Sequence, residues 1–256
     1  PPRSTLFPYT TLFRSDESAA IIADLAATVT PGDTLAMGVE SFDPAVVKAN
    51  SLKVSAADAR SAVALVNEIG GHRIGGIPVI LPGINLLHGL RGETPETFKI
   101  NYRELCAIRD AGLLVKRINI RTVLPFPGTP IAEAVPRTGG KARLRYEHFR
   151  ERIRGDVELS MLRAIYPAGT VLREVFILEE RQGYSLGKQI ASYSVTARIP
   201  GRLPPGTFHD VMVVGHRERS VTALPVPIRI NELPLSALAL IPGIGKKKAG
   251  AIVLHR

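Results

Sequence analysis

Residues 77–98 read IPVILPGINLLHGLRGETPETF. The first fourteen form an apolar run of strand character, and Thr94-Pro95-Glu96 then opens a helix, with proline in its first turn. That helix is expected to run to Ala111, with Gly112 as its stop. The alternation extends both ways. Upstream, ESAAIIADLAAT (17–28) reads as a helix, PGD (31–33) as a turn and TLAMGVES (34–41) as a buried strand. DPAVVKAN (43–50) reads as a short helix capped by Asp43, with Pro44 as its first residue. Ser55 and Asp58 form an acidic capping box for a longer helix. Its Ala59, Ala62, Val63, Val66 and Ile69 keep the helical period until Gly70-Gly71 stops it. Downstream, KRINIRTVLPF (116–126) is a third strand and PFPGTP (125–130) a turn. Strand and helix alternate three times, which predicts an α/β fold of βα units on a parallel sheet. Three strands do not close a barrel, so an incomplete one is expected.

The chain has 256 residues and is 45% hydrophobic, enough to bury a core in one large domain or in two to three small ones. No run reaches 18 apolar residues, so no membrane-crossing helix is expected. Cys106 is the single cysteine. That excludes an intramolecular disulfide framework and any multi-cysteine metal site made by this chain alone, and it fits a reducing, cytoplasmic setting. The net charge of +10 is uneven. Residues 16–136 hold 11 Lys and Arg against 13 Asp and Glu, whereas residues 137–256 hold 20 against 10. A neutral half precedes a basic one, which points to an anionic polymer, nucleic acid first, as partner. A merely basic surface is the plainer alternative.

After residue 137 the texture changes. KARLRYEHFRERIRGDVELSMLRAIYP (141–167) reads as a basic linker helix over 139–167, with Ile153, Val157, Met161 and Ile165 as its apolar stripe. Arg143, Arg145, Arg150, Arg152 and Arg154 crowd its first half, either as a solvated face or as a polyanion surface. TVLREVFILEE, KQIASYSVTARI, GTFHDVMVVGH and SVTALPVPI alternate with Gly and Pro turns over 168–230, four or five strands suited to a small barrel. Over 232–256, LALIPGIGKKKAGAIV (238–253) reads helix, tight hairpin, helix. Gly243 and Gly245 permit the hairpin. Their amides, on either side of Ile244, with the start of the next helix, form a pocket suited to one phosphate. Lys246, Lys247 and Lys248 oppose the helix dipole there, which a bound anion would offset. This stretch resembles the helix-hairpin-helix motif of nucleic-acid-binding proteins; a hairpin used only for packing is the alternative.

GVES (38–41), GLRGETPETF (89–98) and RINIRTVLPFPGTP (117–130) follow one another with helices between. In that order they resemble the radical S-adenosylmethionine (radical SAM) enzymes, of the methylthiotransferase and Elongator-like branch, over roughly 30–130. Residues 168–228 resemble the TRAM module, an OB-like RNA-binding barrel, on VLREVFILEE, LGKQ and GTFHDVMVV. With the helix-hairpin-helix, the combination is similar to archaeal-type radical SAM proteins. The resemblance implies a radical SAM barrel over 16–138 and chemistry in which S-adenosylmethionine, on a [4Fe–4S] cluster fed by an electron donor, is split to a 5′-deoxyadenosyl radical that acts on a nucleic acid, RNA of the tRNA kind. Glu40 and Ser41 would contact the ribose and methionine parts of S-adenosylmethionine. Gly83 and Gly89 would let adenine lie against the backbone. Glu93 would cap the next helix or order the loop, and Arg121 would point into the barrel mouth or outward. Each also has a plain structural use: Glu93 as a helix-start acid, Arg121 as a surface cation. His88 reads as a ligand or as a satisfied buried histidine, and Cys106 as a packing residue.

The C-x-x-x-C-x-x-C cluster motif is not in this sequence, nor is the upstream GGE-type strand. The first fifteen residues, PPRSTLFPYTTLFRS, are encoded in one frame by a widely used sequencing-library adapter. The expectation is therefore that residues 1–15 are an artefact, that the parent's N-terminal part and its cluster are lost at Asp16, and that the hairpin is cut short at Arg256. As written, the chain is expected not to run radical chemistry. Two competing readings are a nucleic-acid-binding protein with a non-catalytic scaffold, and a βα enzyme of other chemistry.

Overall fold

The computed structural model describes residues 16–128 and 140–256. The adapter-like residues 1–15, the end of the PFPGTP turn and the junction at 138–139 lie outside the described residues. The chain forms two units. The first runs to Met161, apart from residues 30–33 and 73–78, and those two segments join residues 162–256 in the second.

In the first unit, α1 (Asp16–Thr28) leads to β1 (Asp33–Glu40), α2 (Pro44–Ala49), α3 (Ala56–Gly70), β4 (Ile80–His88), α4 (Pro95–Asp110) and β5 (Arg117–Thr122). The caps are those the sequence predicts. The Ala45 amide donates to Asp43 at 2.9 Å, Ser55 and Asp58 close a reciprocal box, and Thr94 caps α4. The sheet order is β1-β4-β5, and β4 pairs parallel with β5, Gly83 opposite Arg117 through His88 opposite Thr122. β1 is an edge strand and only half-buried, with Ala36 and Gly38 exposed, where a buried strand is expected. Gly70 ends α3 and also serves packing: a Cβ there would lie 2.3 Å from Ile80 Cγ2. Ala26, Val79 and Ile80 form a small core beside it.

The basic helix predicted over 141–167 is interrupted. It comprises α5 (Gly140–Arg152), a π-helical stretch (Ile153–Glu158) and α6 (Leu159–Ile165). Widened turns free carbonyls, and here Arg109 donates to the Asp156 carbonyl at 2.6 Å while Tyr102 donates to its carboxylate at 2.7 Å. The stripe Ile153, Val157, Met161, Ile165 is buried, as its period requires.

The second unit contains the hairpin β2 (Arg73–Ile74) with β3 (Ile77–Pro78), which the apolar pattern of 77–90 hides. Arg73 fixes it by donating to the carbonyls of Gly76, Ala164 and Ile165. Five further strands form a closed barrel: β6 (Val171–Arg181), β7 (Tyr184–Lys188), β8 (Thr196–Pro200), β9 (Phe208–His216) and β10 (Ser220–Pro225), in the order β10-β8-β7-β6-β9. β8 and β10 pair parallel and the other pairs are antiparallel. That is the five-stranded Greek-key arrangement of OB-like barrels. KQIASYSVTARI, read as one strand, contributes only its first residue to β7 and its last four to β8, which Pro200 completes. Val175, Ile177, Ala197, Ile199, Val211, Val213 and Val221 fill the interior. α7 (Leu235–Leu238) and α8 (Gly245–Leu254) follow, and Leu238, Ile241, Ile244, Ala249 and Ile252 pack with Leu224 and Val214 of the barrel. Val253, next to Ile252 on α8, is exposed.

Candidate functional site

The C-terminal ends of β1, β4 and β5 gather most of the residues singled out in the first half. β1 ends at Glu40, whose φ of 63° lies in the left-handed region that a residue with a side chain rarely adopts. Its carboxylate lies back beside Gly38, where an added Cβ would stand 2.7 Å from Oε1. Gly38 thus leaves room for the Glu40 side chain. Burial pushes the Glu40 carboxyl above its ordinary value, and the Arg121 charge draws it part of the way back. Arg121 is opposite Leu87 on the central strand, so its charge acts across β4 toward Glu40. Arg121 itself is exposed.

Ser41 is buried and shapes the strand end. Its amide donates to Val39 O at 2.7 Å, and its Oγ accepts from the Asp43 amide at 3.2 Å. The Phe42 amide donates to Asn101 at 2.8 Å. Thr97 Oγ donates to Asp43 at 2.6 Å and accepts from the Thr94 amide at 3.0 Å. Asp43 and Thr97 thereby tie the first turns of α2 and α4 together beside Glu40. Asp43, Thr97 and Asn101 carry no functional signal in the linear sequence beyond the caps.

At the end of β4, Glu93 orders the loop. It accepts from the Gly89 amide at 3.1 Å and from His88 Nδ1 at 2.9 Å. Gly89 takes a φ of 87° to make this turn. His88 is only 2% exposed, stacks on Phe98 with centroids 4.4 Å apart and meets the edge of Phe149 at 5.0 Å. Its Nε2 is buried with no hydrogen-bond partner among the described residues. Gly83 is buried against Thr34, whose Cγ2 would lie 2.8 Å from an added Cβ. On this face Arg117 donates to Asn119 at 2.6 Å, and Asn119 donates to Asn85 at 2.9 Å. The alternation of Arg117, Asn119 and Arg121 with Ile118 and Ile120 is the period-two signal for this polar strip.

In the second unit the 243–248 turn is exposed except for the half-buried Ile244. Gly243 and Gly245 take φ values of 83° and 60°, and an added Cβ at either would meet nothing within 4 Å. The backbone is therefore open to close approach. Lys248 Nζ donates to the Gly243 carbonyl at 3.0 Å, bracing the hairpin, while Lys246 and Lys247 are exposed at the helix start. Of the α5 arginines, Arg143 pairs with Glu147, Arg145 lies 5.9 Å from the Phe98 ring centre and Arg152 lies 3.8 Å from that of Tyr102. Part of that basic face is thus engaged within its own unit. Among the described residues no three His, Cys, Asp or Glu side chains are grouped to hold a metal ion, and no helix is long and apolar enough to cross a membrane.

No family model matches the chain. It is 42% identical over 210 residues to an uncharacterized protein of Methanocaldococcus jannaschii, covering 81% of this chain and 39% of that one. It is 37% identical over 237 residues to an uncharacterized protein of Archaeoglobus fulgidus, covering 92% of this chain and 45% of that one. The chain thus spans less than half the length of the curated relatives it matches. Among solved structures, coproporphyrinogen III oxidase from Escherichia coli, a radical SAM enzyme, aligns with 14% identity and a TM-score of 0.40, over 86% of this chain and 50% of that one.

Proposed function

We propose that this chain carries the S-adenosylmethionine-binding edge and the substrate-holding modules of a radical SAM enzyme that modifies a nucleic acid, RNA of the tRNA kind. The observation that carries the reading is Glu40, a carboxylate held at a left-handed strand end, half-desolvated, with Arg121 acting on it across the sheet. Unusual backbone and a raised carboxyl at the C-terminal edge of parallel strands are features of a binding site. The donor set fits the polar ends of S-adenosylmethionine. Arg121 supplies a cation for its carboxylate, and Glu40 an acceptor for a ribose hydroxyl or the amine. Ser41 holds the strand end in place, and Glu93 fixes the Gly89 loop along which adenine would lie, Gly83 lying deeper under Thr34. The bound group supplies the radical chemistry; this chain's residues bind and orient it.

The residues present do not fit a [4Fe–4S] cluster, because three thiolates are needed and the sequence has one cysteine. In this reading the cluster and the contact with an electron donor belong to the longer parent. The helix-hairpin-helix at 243–248 and the OB-like barrel, as a TRAM-type module, hold the nucleic acid through its phosphates. The single cysteine also favours a second reading, a nucleic-acid-binding protein whose first unit is a scaffold.

One experiment separates them. The full-length Archaeoglobus relative, reconstituted with iron and sulfide without oxygen, is expected to show iron–sulfur absorbance and to release 5′-deoxyadenosine from S-adenosylmethionine under reduction. Substitution at the position matching Glu40 should raise the S-adenosylmethionine concentration needed for half-maximal release. A relative with neither cluster nor release would overturn the radical reading and leave the scaffold one.

A further inference from the structure

The barrel unit holds a cleft of about 440 Å³ that the hairpin and the Glu40 edge leave unused. Tyr184 and Arg198 line it from adjacent strands. Their neighbours Ser185, Ala197 and Ile199 are fully buried, so Tyr184 and Arg198 stand on the outer side of the barrel wall. The Arg198 guanidinium carbon lies 3.4 Å from the centre of the Tyr184 ring. Arg198 is level with Thr222 on β10, and Thr222 is opposite Gly215 on β9. An added Cβ at Gly215 would meet only Thr222, at 3.8 Å, so the floor of the cleft is open there. Arg217 and Ser236 complete the polar lining, and His216 is held by donating to the Tyr166 carbonyl at 2.6 Å. No carboxylate lines the cleft among the described residues.

A surface guanidinium commonly pairs with a carboxylate, yet neither Arg198 nor Arg217 has an acidic partner among the described residues, while Arg173, Arg181, Arg202 and Arg229 of the same unit each do. A guanidinium stacked on a phenol ring makes a flat cationic platform, the surface on which an unstacked base lies. Arg217 and the hydroxyls of Thr222 and Ser236 are donors for a phosphate or sugar. The volume falls within the range of about 300–1,000 Å³ of small-ligand sites, room for one nucleotide and not for a duplex.

We infer that this cleft takes one unpaired nucleotide, its base stacked on the Tyr184–Arg198 pair and its phosphate near Arg217. The inference rests on the nucleic-acid part of the proposed function and adds an unpaired base to it. Nothing in it depends on the S-adenosylmethionine edge.

The test uses the 256-residue chain and fluorescence anisotropy with a labelled single-stranded RNA of about ten nucleotides, the same RNA as a duplex, and AMP as competitor. The single strand should bind more tightly than the duplex. Tyr184→Ala should weaken single-strand binding about tenfold without changing its salt slope, because stacking carries no charge. Tyr184→Phe should retain binding. Arg198→Lys should weaken it at an unchanged slope, since charge stays and planarity goes. Arg217→Ala should make the slope shallower by about one. A 2-aminopurine in the strand should be quenched on binding to the unsubstituted chain and not to Tyr184→Ala. Competition by AMP would assign the cleft to any free nucleotide as well; its failure would assign it to a strand alone. Tight binding unaffected by Tyr184→Ala and Arg198→Lys would overturn the cleft and leave the nucleic-acid reading standing. No binding of either RNA or AMP by the unsubstituted chain would overturn both, while cluster formation in the longer relative would stay an independent result.

Discussion

The two units treat the edges of their sheets in opposite ways. The three-stranded sheet of the first unit is open, with β1 and β5 at its edges, and the polar residues that draw notice sit at strand ends: Glu40, His88, Arg121. The barrel of the second unit closes on itself and leaves no edge, so its polar surface lies on the outer wall, between strands. Chemistry at a strand end is written in consecutive residues, because the turn that makes the site is local. Chemistry on a barrel wall is written in the register of strands far apart in sequence. The contrast explains why GVES and GLRGE stand out in the linear sequence while Tyr184 and Arg198 do not.

The largest expected effects probe how closely each unit packs. A Cβ at Gly70 would lie 2.3 Å from Ile80 Cγ2 and 2.6 Å from the Ile80 carbonyl oxygen. A Cβ at Gly187 would lie 2.5 Å from Val175 Cγ1 and 3.0 Å from the Phe176 carbonyl oxygen. Side chains can give way and backbone in a central strand cannot. Gly70→Ala should therefore cost more than Gly187→Ala, each within or above the range of about 1–3 kcal/mol for overpacking. Gly250→Ala, with open space inside α8, should be neutral or stabilising by up to about 1 kcal/mol. Urea denaturation of the three variants checks the ranking. Equal costs at positions 70 and 187 would break the claim that backbone contact decides it.

A smaller effect is expected where two helix starts share one carboxylate. Asp43 caps α2 and also accepts from Thr97 in a buried pair, whereas the box of Ser55 and Asp58 is exposed. Asp43→Ala should cost about 1–3 kcal/mol, through the lost cap and the buried hydroxyl left without its acceptor. Ser55→Ala should cost about 1 kcal/mol. Thr97→Val on the Asp43→Ala background should then add little, since the interaction is already gone. Full additivity in that cycle, measured by thermal or urea unfolding, would show that the two helix starts are not coupled.

These cases mark how far the sequence is legible. The caps at Asp43, Ser55 and Thr94 and the stop at Gly112 are local chemistry, and the residues alone place them. The stripe from Ile153 to Ile165 predicts burial, but not the π-helical turns, because those answer to Arg109 and Tyr102 on another helix. Glu93 and His88 invite separate readings, as a helix-start acid and a buried histidine, and only the tight turn at Gly89 brings them to 2.9 Å. The β2–β3 hairpin is masked by the apolar run that continues into β4. Arg117, Asn119 and Asn85 were within reach, since period-two polarity inside an apolar strand assigns them one face. Arg121 shares that period, yet its neighbour Glu40 comes from a strand eighty residues away.

The smallest expected effect tests that last neighbourhood. The Glu40 carboxyl is raised from its ordinary value of 4.5, chiefly by burial, and Arg121 opposes the shift. The folded state therefore holds this proton more tightly than the unfolded chain does. Its contribution to stability is present below the ordinary value and is lost as pH rises through the raised one. Glu40→Gln should remove that loss, so the variant gains on the parent as pH climbs past the carboxylate range. Arg121→Ala should move the Glu40 midpoint further up, by taking away a charge that favours ionisation. Glu96, exposed and lowered by its hydrogen bond from Lys99, is the internal reference and should not respond. Carbon-detected NMR titration of the two carboxyls reads both midpoints in one sample. A Glu40 midpoint that ignores Arg121→Ala would separate the two residues and dissolve the site at the open edge, while leaving the wall of the closed barrel as it is.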